Sequence, residues 1–112
     1  MSDKIMSKKI ISGIILKELN SVDGWNYSSE KNCIEKTFHF KGFNSAMLFC
    51  NAVAFLANKY QHHPELYISF NKVTVSCQTH NTDDSSNSLS GKITELDLTI
   101  AKEINNILAI GR

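Results

Sequence analysis

The sequence predicts an α+β domain spanning residues 1–112, an antiparallel sheet with its helices packed on one side, in the order α-β-β-α-β-β-α. Three observations carry this expectation. Apolar residues recur at helical spacing near both ends and in the middle of the chain. Period-two alternation runs from Ile34 to Lys41 and again through the segment from Leu66 to Cys77. The connections between the two strand pairs are long, and each strand has one apolar face.

Length and composition set the frame. A chain of 112 residues is large enough to bury a core without metal or disulfide staples. With 42% hydrophobic residues, 21% charged residues and a formal charge of +1, nothing in the balance calls for nucleic acid or an anionic membrane. Cys33, Cys50 and Cys77 are odd in number and lie in apolar patterns, which predicts buried thiols in a reducing compartment. Lys4, Lys8 and Lys9 precede the apolar run Ile10 to Leu16, but Ser12 and Gly13 interrupt it and no small-residue cleavage site follows. No run reaches the ~18 apolar residues of a membrane span. The expected location is the cytoplasm.

Taken in order, Ile10, Ile11, Ile14, Ile15 and Leu19 predict an amphipathic helix over 7–19 that stops at Asn20. Val22-Asp23-Gly24 is turn chemistry, and Trp25 to Tyr27 starts a short strand. In the next strand Ile34, Lys36, Phe38 and Phe40 point one way, while Glu35, Thr37, His39 and Lys41 point the other. Gly42 breaks that strand, and Asn44 or Ser45 is expected to cap a helix running to about Tyr60. Between Ala46 and Ala57 only Asn51 is polar, so this helix is either the centre of one small domain or also a subunit interface. Pro64 is expected to end the helical region.

A hairpin follows. A two-residue turn at Asn71-Lys72 would set Phe70 opposite Val73, Ile68 opposite Val75 and Leu66 opposite Cys77. Tyr67, Ser69, Thr74, Ser76, Gln78 and His80 then share the other face. Residues 81–92 are rich in side chains that bond their own backbone and read as a loop. Thr94-Glu95-Leu96-Asp97 matches a capping box, ahead of a helix whose apolar face is Leu96, Ile100, Ile104, Ile107 and Leu108 and which ends near Ala109.

The chemistry concentrates at Gln61-His62-His63-Pro64-Glu65, with His80 closing the second strand pair. Imidazoles titrate near neutrality, so two of them held around one substrate can serve as acid and base in a single turnover. His39, mid-strand among polar neighbours, reads as a solvated sheet residue. A zinc or iron site from His62, His63, His80, Asp83 and Asp84 matches no standard ligand spacing. Cys77, on the apolar face, lacks the exposed and electropositive surroundings of a reactive thiolate. Asp97 has a capping role whatever the function. Glu65 is a solvated carboxylate or an orienter of an imidazole, and the Phe38, Phe40, Phe43, Phe49 and Phe55 set is assigned to the core.

Several segments, namely Phe38-His39-Phe40-Lys41, Phe43-Asn44, Ala46, His62-His63-Pro64-Glu65, Asn71-Lys72-Val73, Thr79-His80 and Thr94-Glu95-Leu96-Asp97, together resemble the pterin-4a-carbinolamine dehydratase family. The match runs from Gly24-Trp25 to the last helix. It implies a four-stranded antiparallel sheet with three helices, assembled as a homodimer or homotetramer. The implied reaction is the dehydration of 4a-hydroxytetrahydrobiopterin to quinonoid dihydrobiopterin, without metal or organic cofactor, in the recycling that serves aromatic amino acid hydroxylases.

By motif, His62 and His80 resemble the acid/base residues and His63 a substrate-binding residue that supports catalysis. Gln61, Gln78, Thr79 and Asn81 would line the site, and Asp97 matches the family's carboxylate as structural support. The chain departs from the family pattern at Leu66, where Trp is usual, at Ile68, where Asn is usual, and at Asn58, where an ionisable residue is usual. Its 81–92 loop is also longer. Some relatives of this fold act as dimerisation partners of a transcription factor or as assembly chaperones, so a non-catalytic dimerisation or assembly module that binds a protein partner is the alternative.

Overall fold

A computed structural model describes residues 17–79 and 93–111, with side chains as far as Leu108. Of the first helix only the final turn, residues 17–19, falls within this range. The expected helix over 7–16, the loop over 81–92, and His80 and Asn81 lie outside the described residues.

The architecture is the expected α+β arrangement. Four strands, β1 (Asn26–Ser28), β2 (Cys33–His39), β3 (Glu65–Ser69) and β4 (Lys72–Cys77), form one antiparallel sheet in the order β1-β2-β4-β3. The central helix, Phe43–Tyr60, and the last helix, Glu95–Gly111, pack on the same face. Among the described residues no helix is long and apolar enough to cross a membrane.

Alternation in β2 and β4 decides which face is covered. Ile34, Phe38, Val73, Val75 and Cys77 are buried toward the helices, where Ala46, Phe49, Val53, Leu98, Ile100 and Ile104 meet them. An aromatic row of Trp25, Phe38, Phe49 and Phe40, with ring centroids 4.7–6.1 Å apart, fills the end of this layer nearest the start of the central helix. Lys36 sits on the same face without burying its charge. Its ammonium reaches the edge, donating to the Asp23 carbonyl and to Asn105 Oδ1, both at 3.0 Å. Trp25 Nε1 donates to the same Asn105 oxygen at 3.0 Å, which ties the first turn to the last helix. Gly24 makes that turn at φ 84°, a left-handed conformation that favours glycine.

Several local expectations are corrected. The β3–β4 turn is Phe70-Asn71 rather than Asn71-Lys72, so Ser69 pairs with Lys72, Ile68 with Val73 and Leu66 with Val75. The two-residue shift leaves the strand residues 66–69 and 73–77 on their expected faces but changes each partner, and Phe70 moves from the strand into the turn. It depends on Phe70 adopting φ 48°, which is uncommon for an aromatic residue. The central helix starts one residue before Asn44, with Gly42 at the N-cap and no side-chain cap, so neither Asn44 nor Ser45 caps it. It ends at Gln61 and not because of Pro64: Gln61 turns left-handed at φ 51°, its N–H bonds the Asn58 carbonyl and the His62 N–H bonds the Ala57 carbonyl. Phe43 and Phe55 are exposed rather than core, since the core-facing stripe of the helix is Ala46, Phe49, Cys50, Val53 and Ala57.

Candidate functional site

The left-handed Gln61 redirects the chain from the central helix into β3 and sets the two histidines in different surroundings. His62 is buried at 8% exposure against the last helix, whereas His63 is exposed on the other side of the segment.

His62 Nε2 lies 2.5 Å from Asp97 Oδ1. Asp97 is wholly buried and saturated. Its Oδ2 accepts from the Thr94 N–H at 2.8 Å, the capping-box bond, and from the Thr79 hydroxyl at 2.8 Å. Thr79 and Thr94 hydroxyls are 2.7 Å apart, so Thr94 can donate to Thr79 while Thr79 donates to the carboxylate. With Oδ2 occupied by donors, Oδ1 is the acceptor for His62. An Nε2–H donating there leaves Nδ1 as the nitrogen able to exchange a proton. The capping box thus has a second use: the carboxylate that closes a helix start also orients a buried imidazole. No buried polar side-chain atom among the described residues lacks a partner.

His63 faces two shallow clefts. One, of ≈ 140 Å³, opens on the sheet face away from the helices and is lined by Lys31, Cys33, His63, Glu65, Ser76 and Gln78. The other, of ≈ 160 Å³, is mainly apolar and lies between the central helix and β3, where His63 meets Val53, Ala54, Ala57, Asn58, Pro64 and Leu66. Asn58 and Leu66, two of the positions that depart from the family pattern, are both in its wall.

Of the residues singled out from the sequence, His62, Thr79 and Asp97 are joined in one hydrogen-bonded group, and His63 and Gln78 share the outer cleft. Gln61 is exposed, with its backbone stopping the helix. Glu65 is exposed, as a solvated carboxylate would be, and its Oε1 accepts the Tyr67 hydroxyl at 2.6 Å, while the carboxylate that orients His62 is Asp97. His39 is exposed on the strand, as expected. Lys31, Cys33 and Ser76 were not anticipated in the site. The β2–β4 register that sets Glu35 opposite Ser76 is what brings them there, and no local motif announces it.

Cys77 is buried on the helix side, and burial together with the nearby Asp97 charge pushes its thiol far up. That environment disfavours a thiolate. Among the described residues no group of three or more histidine, cysteine or acidic side chains is placed to hold a metal ion.

Comparison with known proteins identifies the family of the chain. Residues 9–107 match the family model for pterin 4 alpha carbinolamine dehydratase. A Sulfurisphaera tokodaii protein provisionally named as such a dehydratase is 41% identical over 101 residues, covering 90% of this chain and 98% of its own. An Aquifex aeolicus protein of the same provisional name is 34% identical, covering 92% and 94%.

The crystal structure of a transcriptional coactivator/pterin dehydratase from Brucella melitensis superposes with a TM-score of 0.70 at 33% identity, over 81% of this chain and 88% of the other. A pterin dehydratase-like protein identified as a RuBisCO assembly factor in the alpha-carboxysome shares the fold, at TM-score 0.55 and 17% identity, over 74% and 87%. By the extent of the family match and the identity of its relatives, the chain belongs to the pterin 4 alpha carbinolamine dehydratase family.

Proposed function

We propose that the protein is a hydro-lyase that dehydrates a 4a-hydroxytetrahydropterin, 4a-hydroxytetrahydrobiopterin in the first instance, to the quinonoid dihydropterin. The observation that carries this reading is the hydrogen-bonded group of the buried His62 and Asp97 with Thr79 in a member of this family. Expulsion of the 4a-hydroxyl needs a proton delivered to the departing oxygen, and the ring must give up a proton to complete the elimination. An imidazole fixed by a saturated carboxylate is suited to one of these transfers because its tautomer and orientation are settled before substrate arrives.

In this reading His62 and His80 are the acid/base pair, and His63 binds substrate and supports the transfer. Gln61, Gln78, Thr79 and Asn81 complete the surroundings, and Asp97 is a positioning residue. The reaction draws on side chains alone and is proposed to need no cofactor. The substrate would come from aromatic amino acid hydroxylation.

The test is the dehydration of generated 4a-hydroxytetrahydropterin, followed by absorbance, for wild type, His62→Ala and His80→Ala. Loss of either imidazole is expected to lower the rate by a factor on the order of 100 or more. A wild type no faster than buffer would sink the dehydratase reading.

A second reading is favoured by one specific observation. Leu48 and Phe55, one face of the central helix, are 68% and 78% exposed. Such a stripe suits self-association into a homodimer or homotetramer, or a non-catalytic assembly role toward a protein partner. Sedimentation of wild type beside Leu48→Ser/Phe55→Ser separates the two. A drop in assembly mass on substitution supports self-association. A wild type that is monomeric by itself turns this reading to a partner.

A further inference from the structure

The bonds around Asp97 differ from those of an ordinary helix start. In a capping box the hydroxyl of the first residue accepts the backbone N–H three residues on. Here the Asp97 N–H bonds the Thr94 carbonyl at 3.0 Å, and the Thr94 hydroxyl meets the Thr79 hydroxyl at 2.7 Å. Thr94 Oγ1 is 3.4 Å from Asp97 Oδ2, whereas Thr79 Oγ1 is 2.8 Å from it. Only one direction of the pair gives both hydroxyls a short bond: Thr94 donates to Thr79, and Thr79 donates to the carboxylate. A hydroxyl that accepts while it donates is the stronger donor for it. Thr79 lies 18 residues before Asp97, so the chain of donors ties the segment leaving β4 to the start of the last helix.

That chain bears on His62. A carboxylate can turn about its last torsion and exchange its two oxygens. With the Thr94 N–H and the Thr79 hydroxyl both on Oδ2, Oδ1 is the oxygen presented to Nε2. Loss of the Thr79 hydroxyl would leave Oδ2 with the Thr94 N–H and the longer Thr94 hydroxyl contact. We propose that the Thr94 and Thr79 hydroxyls are a positioning pair for His62: two donors in series that fix Asp97 Oδ2, hold Oδ1 against the Nε2–H, and so keep the ring in the tautomer whose free nitrogen is Nδ1. Neither hydroxyl has to touch the substrate for this. Its effect on turnover rests on the hydro-lyase reading above, whereas its effect on the His62 ring does not.

The experiment records the ring nitrogens of isotope-labelled histidine by NMR with the rings neutral, His62 being assigned by its loss in His62→Ala, together with turnover of the generated carbinolamine by the same preparations. Wild type is expected to show one fixed tautomer at His62, protonated at Nε2. Thr79→Val is expected to mix the two tautomers and to lower kcat about tenfold, with KM within about twofold. Thr79→Ser, which keeps the hydroxyl, is expected to restore both. Thr94→Val keeps the backbone N–H on Oδ2 and removes only the first donor of the series, so partial mixing and a drop in kcat of about threefold are expected. Far-UV circular dichroism checks folding, and Thr94→Val carries the test if Thr79→Val does not fold.

A folded Thr79→Val protein whose His62 ring keeps the wild-type pattern overturns the pair, even where turnover falls. So does a Thr79→Ser protein as impaired as Thr79→Val, a loss confined to KM, or a Thr94→Val protein identical to wild type. Wild-type turnover in those cases leaves the dehydratase reading standing. Conversely, mixed tautomers in both valine variants of a protein without turnover support the pair and remove the dehydratase.

Discussion

The two faces of the sheet treat neighbouring residues in opposite ways. On the helix side His62 is buried and fixed by Asp97, and Ile34, Val73 and Val75 are fully covered. On the outer side His63, Glu65 and Tyr67 are exposed, and the cross-strand contact between Thr37 and Thr74 is a 2.7 Å hydroxyl pair near solvent. Stability is therefore concentrated on one face, while the groups on the other are free to meet a ligand.

Truncation on the covered side should show the largest effect. Ile34→Ala removes a fully buried side chain, and a loss of about 2–5 kcal/mol in urea unfolding is expected, against under about 1 kcal/mol for Thr37→Ala on the same strand. Equal losses would break the contrast between faces. Asp97→Ala follows at about 2–4 kcal/mol, because it removes a helix cap and leaves the Thr79 hydroxyl and the His62 ring without their acceptor.

The histidines sharpen the comparison. His62→Ala should cost about 1–3 kcal/mol, since it strands a buried carboxylate, and His63→Ala about 0.5 kcal/mol or less. Thermal melts of the pair decide this, and identical midpoints would contradict the burial contrast. Gln61→Gly should act in the opposite direction, raising stability by about 1 kcal/mol, because a left-handed residue at a helix end favours glycine. The smallest effect is spectroscopic: Glu65→Gln should bring the Tyr67 phenol back down from its raised value, read by ultraviolet titration.

How much of this was legible varied with the range of the interaction. Alternation in β2 fixed the faces of Ile34 and Phe38 correctly because a strand side chain answers mainly to its own period. The hairpin partners were missed by two residues. Asn71 is a familiar turn residue, whereas the positive φ at Phe70 follows from pairing that the local sequence does not reveal. Similarly, Asp97 was readable as a cap because its Thr94 partner is three residues away. Its bond to His62 spans 35 residues and needed the fold. Glu65 reads as a solvated carboxylate and is exposed, and the carboxylate on His62 comes instead from the last helix. Phe43 and Phe55 were assigned to the core on hydrophobicity alone, although their helical phase places them away from it.

Cys77, buried between the sheet and the last helix, has a consequence for experiment. A thiol held this strongly in its protonated form behind a closed core is shielded from alkylating reagents until the protein opens. Modification of that sulfur should then proceed at a rate set by the native fold's own excursions. The wild-type chain thus carries an internal clock for breathing between sheet and helix, readable by mass spectrometry without an added label site.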